Sequence, residues 1–184
     1  LLKSDSIKIA SLMKSNKFNN LIFLNYSPEL EKFLYWAQQL IAESLGKKGK
    51  GFFPVISNVP KDHHSLLQLY LDGPKDKFFY IFSCEKKSNI MINLNKSSPI
   101  NKYLNKKDLS RIKSAQRKAL IKAFIEKKIP FREFKIKSNN EKVLGELFAF
   151  FIVETIIVGN LLRVNPFDQP AVERVKDYTK QFLS

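Results

Sequence analysis

Three short segments of this 184-residue chain carry side chains able to move protons. The first is Ala42-Glu43-Ser44-Leu45-Gly46-Lys47, which puts a carboxylate in the last turn of an apolar-faced helix pattern. A helix C-terminus disfavours negative charge, and partial burial there would raise the Glu43 pKa towards that of a general base. By position alone, the plainer reading is a solvated glutamate at a helix end. The second segment, Asp62-His63-His64-Ser65-Leu66-Leu67-Gln68, holds both histidines of the chain, just inside a predicted helix start. The amides and dipole at such a start favour neutral imidazole, which can take or give a proton. Successive helical residues diverge and neither Cys nor further His stands near, so the pair does not read as a metal site. Two helix-start histidines without a function fit as well. The third segment contains Gln169, Glu173 and Lys176, and its last two residues are spaced for an ordinary surface pair worth about 0.2–0.5 kcal/mol.

The elements that must position these groups alternate between two periods. Helical spacing runs through residues 4–16. Leu21-Ile22-Phe23-Leu24 reads as a buried strand ended by Asn25-Tyr26-Ser27-Pro28. Ser27 is placed to cap a helix with Pro28 in its first turn, and its apolar face continues through Phe33, Leu34, Trp36, Ala37, Leu40 and Ile41. Phe52 to Ile56 and Lys77 to Cys84 predict two more strands. Between them, Asp62 is expected to cap one helix reaching about Leu71. Residues 85–107 look polar and irregular, with Ile90-Met91-Ile92 a short extra strand. A basic helix is predicted over Leu109 to Lys128, a strand over Pro130 to Lys137, a long apolar helix over Asn140 to Leu162, and a closing helix over 170–183. Asn165 and Pro166 stop the apolar helix, while Asp168 or Gln169 caps the next, with Pro170 in its first turn. Strands alternating with helices predict an α/β fold: a three-layer α/β/α sandwich with a mainly parallel sheet, closed by helices at about 140–183.

Composition narrows the partners. Hydrophobic residues make up 44% of the chain, which suits a packed domain. The single Cys84 lies in an apolar run, which argues for a structural thiol and a reducing, cytoplasmic setting. A net charge of +15 would favour nucleic acid. The excess is almost all Lys, however, spread over turns and helix faces, whereas reading phosphates and bases favours Arg. No nucleic acid partner is therefore expected; the field suits a small anion. The long apolar helix carries Glu146 and Glu154, which argues against a membrane span and for a domain core or subunit interface.

All three chemical segments match one family, in order. Tyr26 to Gly51 resembles the Tyr-x-Pro-x-Leu helix, Glu-Ser-x-Gly-Lys and Lys-Gly of bacterial-type glucose-6-phosphate isomerases. His64-Ser65-Leu66-Leu67-Gln68 with Gly73 resembles their His-Ser-x-x-Gln segment. Gly145 to Phe148 resembles Gly-Glu-Leu-Phe, and Val164 to Lys176 resembles the closing Val-Asn-Pro-Phe-Asp-Gln-x-Gly-Val-Glu-x-x-Lys signature, with Ala171 in place of its Gly. The resemblance implies a sugar-isomerase (SIS) fold and interconversion of glucose 6-phosphate and fructose 6-phosphate through a cis-enediol. It implies Glu43 as the base acting on carbon, His64 as the histidine assisting ring opening, Lys176 as a second ring-opening group and Gln169 as a substrate contact. It implies a homodimer with His64 lent to the neighbouring subunit, and neither metal nor organic cofactor. The family's Gly-Gly-Arg segment and Ser/Thr-rich phosphate loop have no counterpart here. Residues 1–184 thus resemble the C-terminal domain of a longer isomerase without its phosphate-binding domain, and little activity is expected from it alone. The competing expectations are a non-catalytic phosphosugar-binding domain of the same fold and a basic nucleic-acid module.

Overall fold

The computed structural model describes residues 2–84, 88–93 and 102–184. Four strands form one parallel sheet: β1 (Asn20–Asn25), β2 (Phe53–Asn58), β3 (Lys77–Cys84) and, after a separate two-residue pair β4 (Met91–Ile92) and β5 (Lys107–Asp108), β6 (Phe131–Ile136). Their order is β2-β1-β3-β6, with Asn20 opposite Phe53 on one side and Lys77 on the other. Parallel neighbours need crossovers, and the helices supply them on both faces. Helices α1 (Leu2–Lys14), α2 (Glu31–Leu45) and α6 (Glu141–Leu162) cover one face. The short α3 (Lys61–Ser65) and α4 (Leu67–Asp72) and the long α5 (Leu109–Glu126) belong to the other. The chain is therefore the expected three-layer α/β fold, with a last helix, α7 (Pro170–Leu183), beyond it.

Alternation along the strands explains the two cores. In β1, Leu21 and Phe23 point to the α2 face while Ile22 and Leu24 point to the α5 face, all four nearly or fully buried. The first face is aromatic: Phe82 stacks on Phe134 at 4.7 Å between ring centroids, and Phe33 meets Phe148 and Phe151 edge-on. Full burial of a ring, as at Phe33, Phe82 and Phe151, contributes about 1.5–3 kcal/mol.

Helix α6 is long and apolar enough to cross a bilayer by length and composition. Its buried Glu154 shows how it is used instead. Arg132 on β6 donates to Glu154 Oε1 at 2.6 Å and to Asp5 of α1 at 3.0 Å, with its guanidinium 4.9 Å from the ring centres of Phe134 and Phe150. Burial pushes the Glu154 carboxyl up, and the Arg132 charge opposes that shift. One guanidinium therefore ties the sheet to two helices.

Several element boundaries differ from expectation. Ser27 does not cap with its side chain; its Oγ accepts the Cys84 backbone N–H at 2.6 Å, joining the ends of β1 and β3. A 3-10 turn over Pro28–Leu30 precedes α2. The helix expected over 63–71 is two pieces that meet at Leu66, and Asp62 lies inside the first piece, where it accepts from the Ser57 hydroxyl at 2.9 Å instead of capping. Cys84 is half-buried rather than buried. Of the stretch 85–107, residues 85–87 and 94–101 lie outside the described residues.

Candidate active site

The corner between α6 and α7 is built from backbone outward. Helix α6 ends with Arg163 in the left-handed conformation (φ 58°), and Val164 N–H donates back to the Gly159 carbonyl at 3.0 Å. Gly159 is buried beneath Pro166: a Cβ there would lie 3.2 Å from the Pro166 Cβ, so a larger residue would push Pro166 away by a few tenths of an ångström. The last carbonyls of a helix lack intrahelical donors and carry partial negative charge. Lysines answer both needs. Lys50 Nζ donates to the Leu162 carbonyl at 2.5 Å, and Lys47 Nζ donates to the Asn165 carbonyl at 2.5 Å and pairs with Asp168 at 3.0 Å. Hydrogen bonding from Lys47 holds the Asp168 carboxyl below its usual range.

This clamp lays the start of α7 beside the end of α2. Glu43, half-buried, receives two amides: Gln39 donates to Oε1 at 2.9 Å and Gln169 donates to Oε2 at 2.8 Å. Gln169 occupies the cap position of α7 but gives its side chain to Glu43 rather than to the helix. A cleft of about 490 Å³ opens here, lined by Glu43, Lys47, Asn165, Asp168 and Gln169, with Ala171 on its rim. A carboxylate whose two oxygens are each held by an amide loses its freedom to turn. That is the arrangement wanted in a base that must meet a carbon-bound hydrogen at a defined angle. No group of three or more metal-ligating side chains exists among the described residues.

The other two predicted groups stand apart. Lys176 lies two turns into α7, about 10 Å along the helix from Gln169. Its Nζ donates to Glu173 at 2.7 Å, and that pairing raises the Lys176 pKa and lowers that of Glu173. Helix α7 has no buried residue and exposes Val172, Val175, Tyr178 and Phe182. The histidines lie at the opposite end of the sheet. Helix α3 follows the carboxyl end of β2, whereas Glu43 precedes its amino end, so a six-residue strand, roughly 20 Å, separates them. Open α/β sheets place ligands at the carboxyl ends of their strands, and of the three segments only the histidines occupy that end. His63 is the one held: its Nε2 is 2.9 Å from the Tyr26 hydroxyl, and burial lowers its pKa against the opposing Asp62 charge. The cause is burial, not the dipole of a five-residue helix. His64 is exposed.

Gln39 and the lysine clamp were not foreseen. The spacing of Gln39 and Glu43, one helical turn apart, was a usable signal; the reach of Lys47 and Lys50 across more than a hundred residues was not.

The sheet and its helices define a three-layer parallel α/β domain, and comparison with known proteins bears this out. A hypothetical protein from Thermus thermophilus superposes with a TM-score of 0.83 at 28% identity, covering 97% of this chain and 45% of that one. A glucose-6-phosphate isomerase from Chlamydia trachomatis shares the fold, with a TM-score of 0.71 at 17% identity. In sequence the chain matches a part of glucose-6-phosphate isomerases. It is 36% identical to that of Mycoplasmopsis synoviae over 173 residues and 34% identical to that of Mycoplasmopsis pulmonis over 188, and 35% identical to that of Methanocaldococcus jannaschii over 155. These alignments cover 84–96% of this chain but only 38–42% of the relatives, so it spans less than half their length. No family model matches the chain.

Proposed function

We propose that this chain supplies the base-bearing part of a glucose-6-phosphate isomerase active site. The observation that carries the reading is the Glu43 carboxylate, held by Gln39 and Gln169 in an open cleft beside the α6–α7 corner. In this reading Glu43 takes the hydrogen from C2 of the open-chain aldose. The C–H electron pair forms the C1–C2 double bond of a cis-enediol as the carbonyl oxygen gains a proton; Glu43 then returns its proton to C1 while the C2 hydroxyl gives up its own, leaving the C2 carbonyl of the ketose. The Gln169 amide serves both the carboxylate and a sugar hydroxyl. Lys176, on a helix with no buried face, acts on ring oxygens of a substrate lying outside this chain's own surface. His64 assists ring opening in the site of a second copy, which its separation from Glu43 favours. The chain is the C-terminal SIS domain of a longer, cytoplasmic isomerase in this reading, and the phosphate is bound by the rest of that protein.

The test uses a chimera in which these residues replace the matching segment of the Mycoplasmopsis synoviae relative. Glu43→Gln is expected to lower kcat about 10²–10⁴-fold with an unchanged circular dichroism spectrum. Turnover at the parent rate would sink the assignment. The 184-residue chain alone is expected to show little isomerase activity, and a rate near that of the chimera would contradict the division of labour.

A further inference from the structure

Lys47 follows Glu43 by four residues, just past the end of α2, and its side chain is only 11% exposed. Its ammonium sits between two groups of the α6–α7 corner, the Asn165 carbonyl at 2.5 Å and Asp168 Oδ1 at 3.0 Å. The second Asp168 oxygen accepts the Asn165 side-chain amide at 3.0 Å, and Asn165 Oδ1 accepts the Phe167 N–H at 3.1 Å. Lys47, Asn165 and Asp168 thus close a ring of contacts around one ammonium largely withdrawn from water. A buried charge is tolerated only when paired and hydrogen-bonded, so the ring holds its members firmly.

The next residue, Gln169, donates to Glu43 Oε2 at 2.8 Å, and its carbonyl accepts the Val172 N–H at 3.1 Å as α7 begins. The end of α2 therefore meets the corner at two consecutive residues, Asp168 through Lys47 and Gln169 through Glu43. A single contact would leave the corner free to turn about it; two adjacent ones fix orientation as well as distance. Helix α7 itself adds no further hold, because it has no buried residue and Gln169 makes no side-chain cap bond to it. Lys50 holds the Leu162 carbonyl, before the chain turns the corner, and so does not duplicate Lys47.

We propose that Lys47 is a positioning residue for the Glu43 base: by holding Asp168 and the Asn165 carbonyl it sets the Gln169 amide against Glu43. It acts through Gln169 and not on the reacting atoms. The inference rests on the reading of Glu43 as the base that takes hydrogen from carbon.

Two measurements test it. In the 184-residue chain, the NMR signals of the Gln169 side-chain amide should be displaced from those of free glutamine, and Lys47→Met should return them most of the way. In the chimera, Lys47→Met should lower kcat about tenfold to a hundredfold, more than it changes KM, the scale of a displaced catalytic group. In a Gln169→Ala chimera the same substitution should cost about twofold or less, because the contact it acts through is already gone. Asp168→Asn, which alters an exposed group of similar shape, carries both measurements if Lys47→Met does not fold. A lysine that merely supports the fold would cost the same factor in both backgrounds, and that result overturns the proposal. So does a Gln169 amide that the substitution leaves in place. Parent turnover in the Glu43→Gln chimera would instead remove the isomerase reading, and the amide signals would still decide whether Lys47 sets Gln169.

Discussion

The two ends of β2 hold the same kind of group, a titratable side chain next to a polar neighbour, and treat it in opposite ways. At the carboxyl end, His63 is drawn in against Tyr26, leaving His64 exposed. At the amino end, Glu43 is gripped at both oxygens yet still faces an open cleft. The first end gives up access for packing; the second keeps access and uses hydrogen bonds for orientation. Because the strand stands between them, Glu43 and His64 of one chain cannot serve one sugar ring together. A site that uses both must draw them from two copies.

The sharpest way to break this comparison is a mixing experiment on the full-length chimera. Glu43→Gln and His64→Ala proteins should each be nearly inactive. Unfolded and refolded together, they should recover about a quarter of the parent activity, since half of the random dimers are mixed and each mixed dimer has one intact site. No recovery would place both residues in one subunit's site. The next effect is on stability in urea, measured on the 184-residue chain. Tyr26→Phe removes the only described partner of His63 Nε2 and should cost about 1–2 kcal/mol, whereas Glu43→Gln should stay within about 0.5 kcal/mol. The reverse ranking would mean that the amino end is the structural one. The smallest effect is on pH dependence. Burial depresses the His63 pKa below its ordinary 6.5, so the unfolded chain binds the proton more readily. Stability from this group is complete above about pH 6.5 and is lost as pH falls through the folded-state value. His63→Gln should flatten the fall in urea midpoint between about pH 7 and pH 5 relative to the parent.

Legibility in the sequence followed the range of the forces involved. The strand at Lys77–Cys84 and the spans of α6 and α7 were readable because each rests on local periodicity or on a residue one turn away. The split of the 61–72 helix was not, because no Gly or Pro marks the break at Leu66. Glu43 and Gln169 were both identifiable, but the resemblance supplied that reading; helix pattern alone left Glu43 a surface residue. Their contact depends on Lys47 and Lys50 reaching the end of α6, and such pairings leave no mark in spacing. The histidines show the limit from the other side: adjacent in sequence, they are distinguished only by which one meets Tyr26.

The tight seat of Pro166 on Gly159 makes α7 a lever with its pivot in α6. No buried residue along α7 steers it, so its heading is set where it leaves the corner. A small rotation of α6 would swing Lys176 through a wide arc while barely moving Gln169, which sits near the axis. The carboxylate and its amide can therefore stay registered while the Lys176 ammonium changes position. The close packing of Pro166 on Gly159 would then govern the position of an ammonium it never touches.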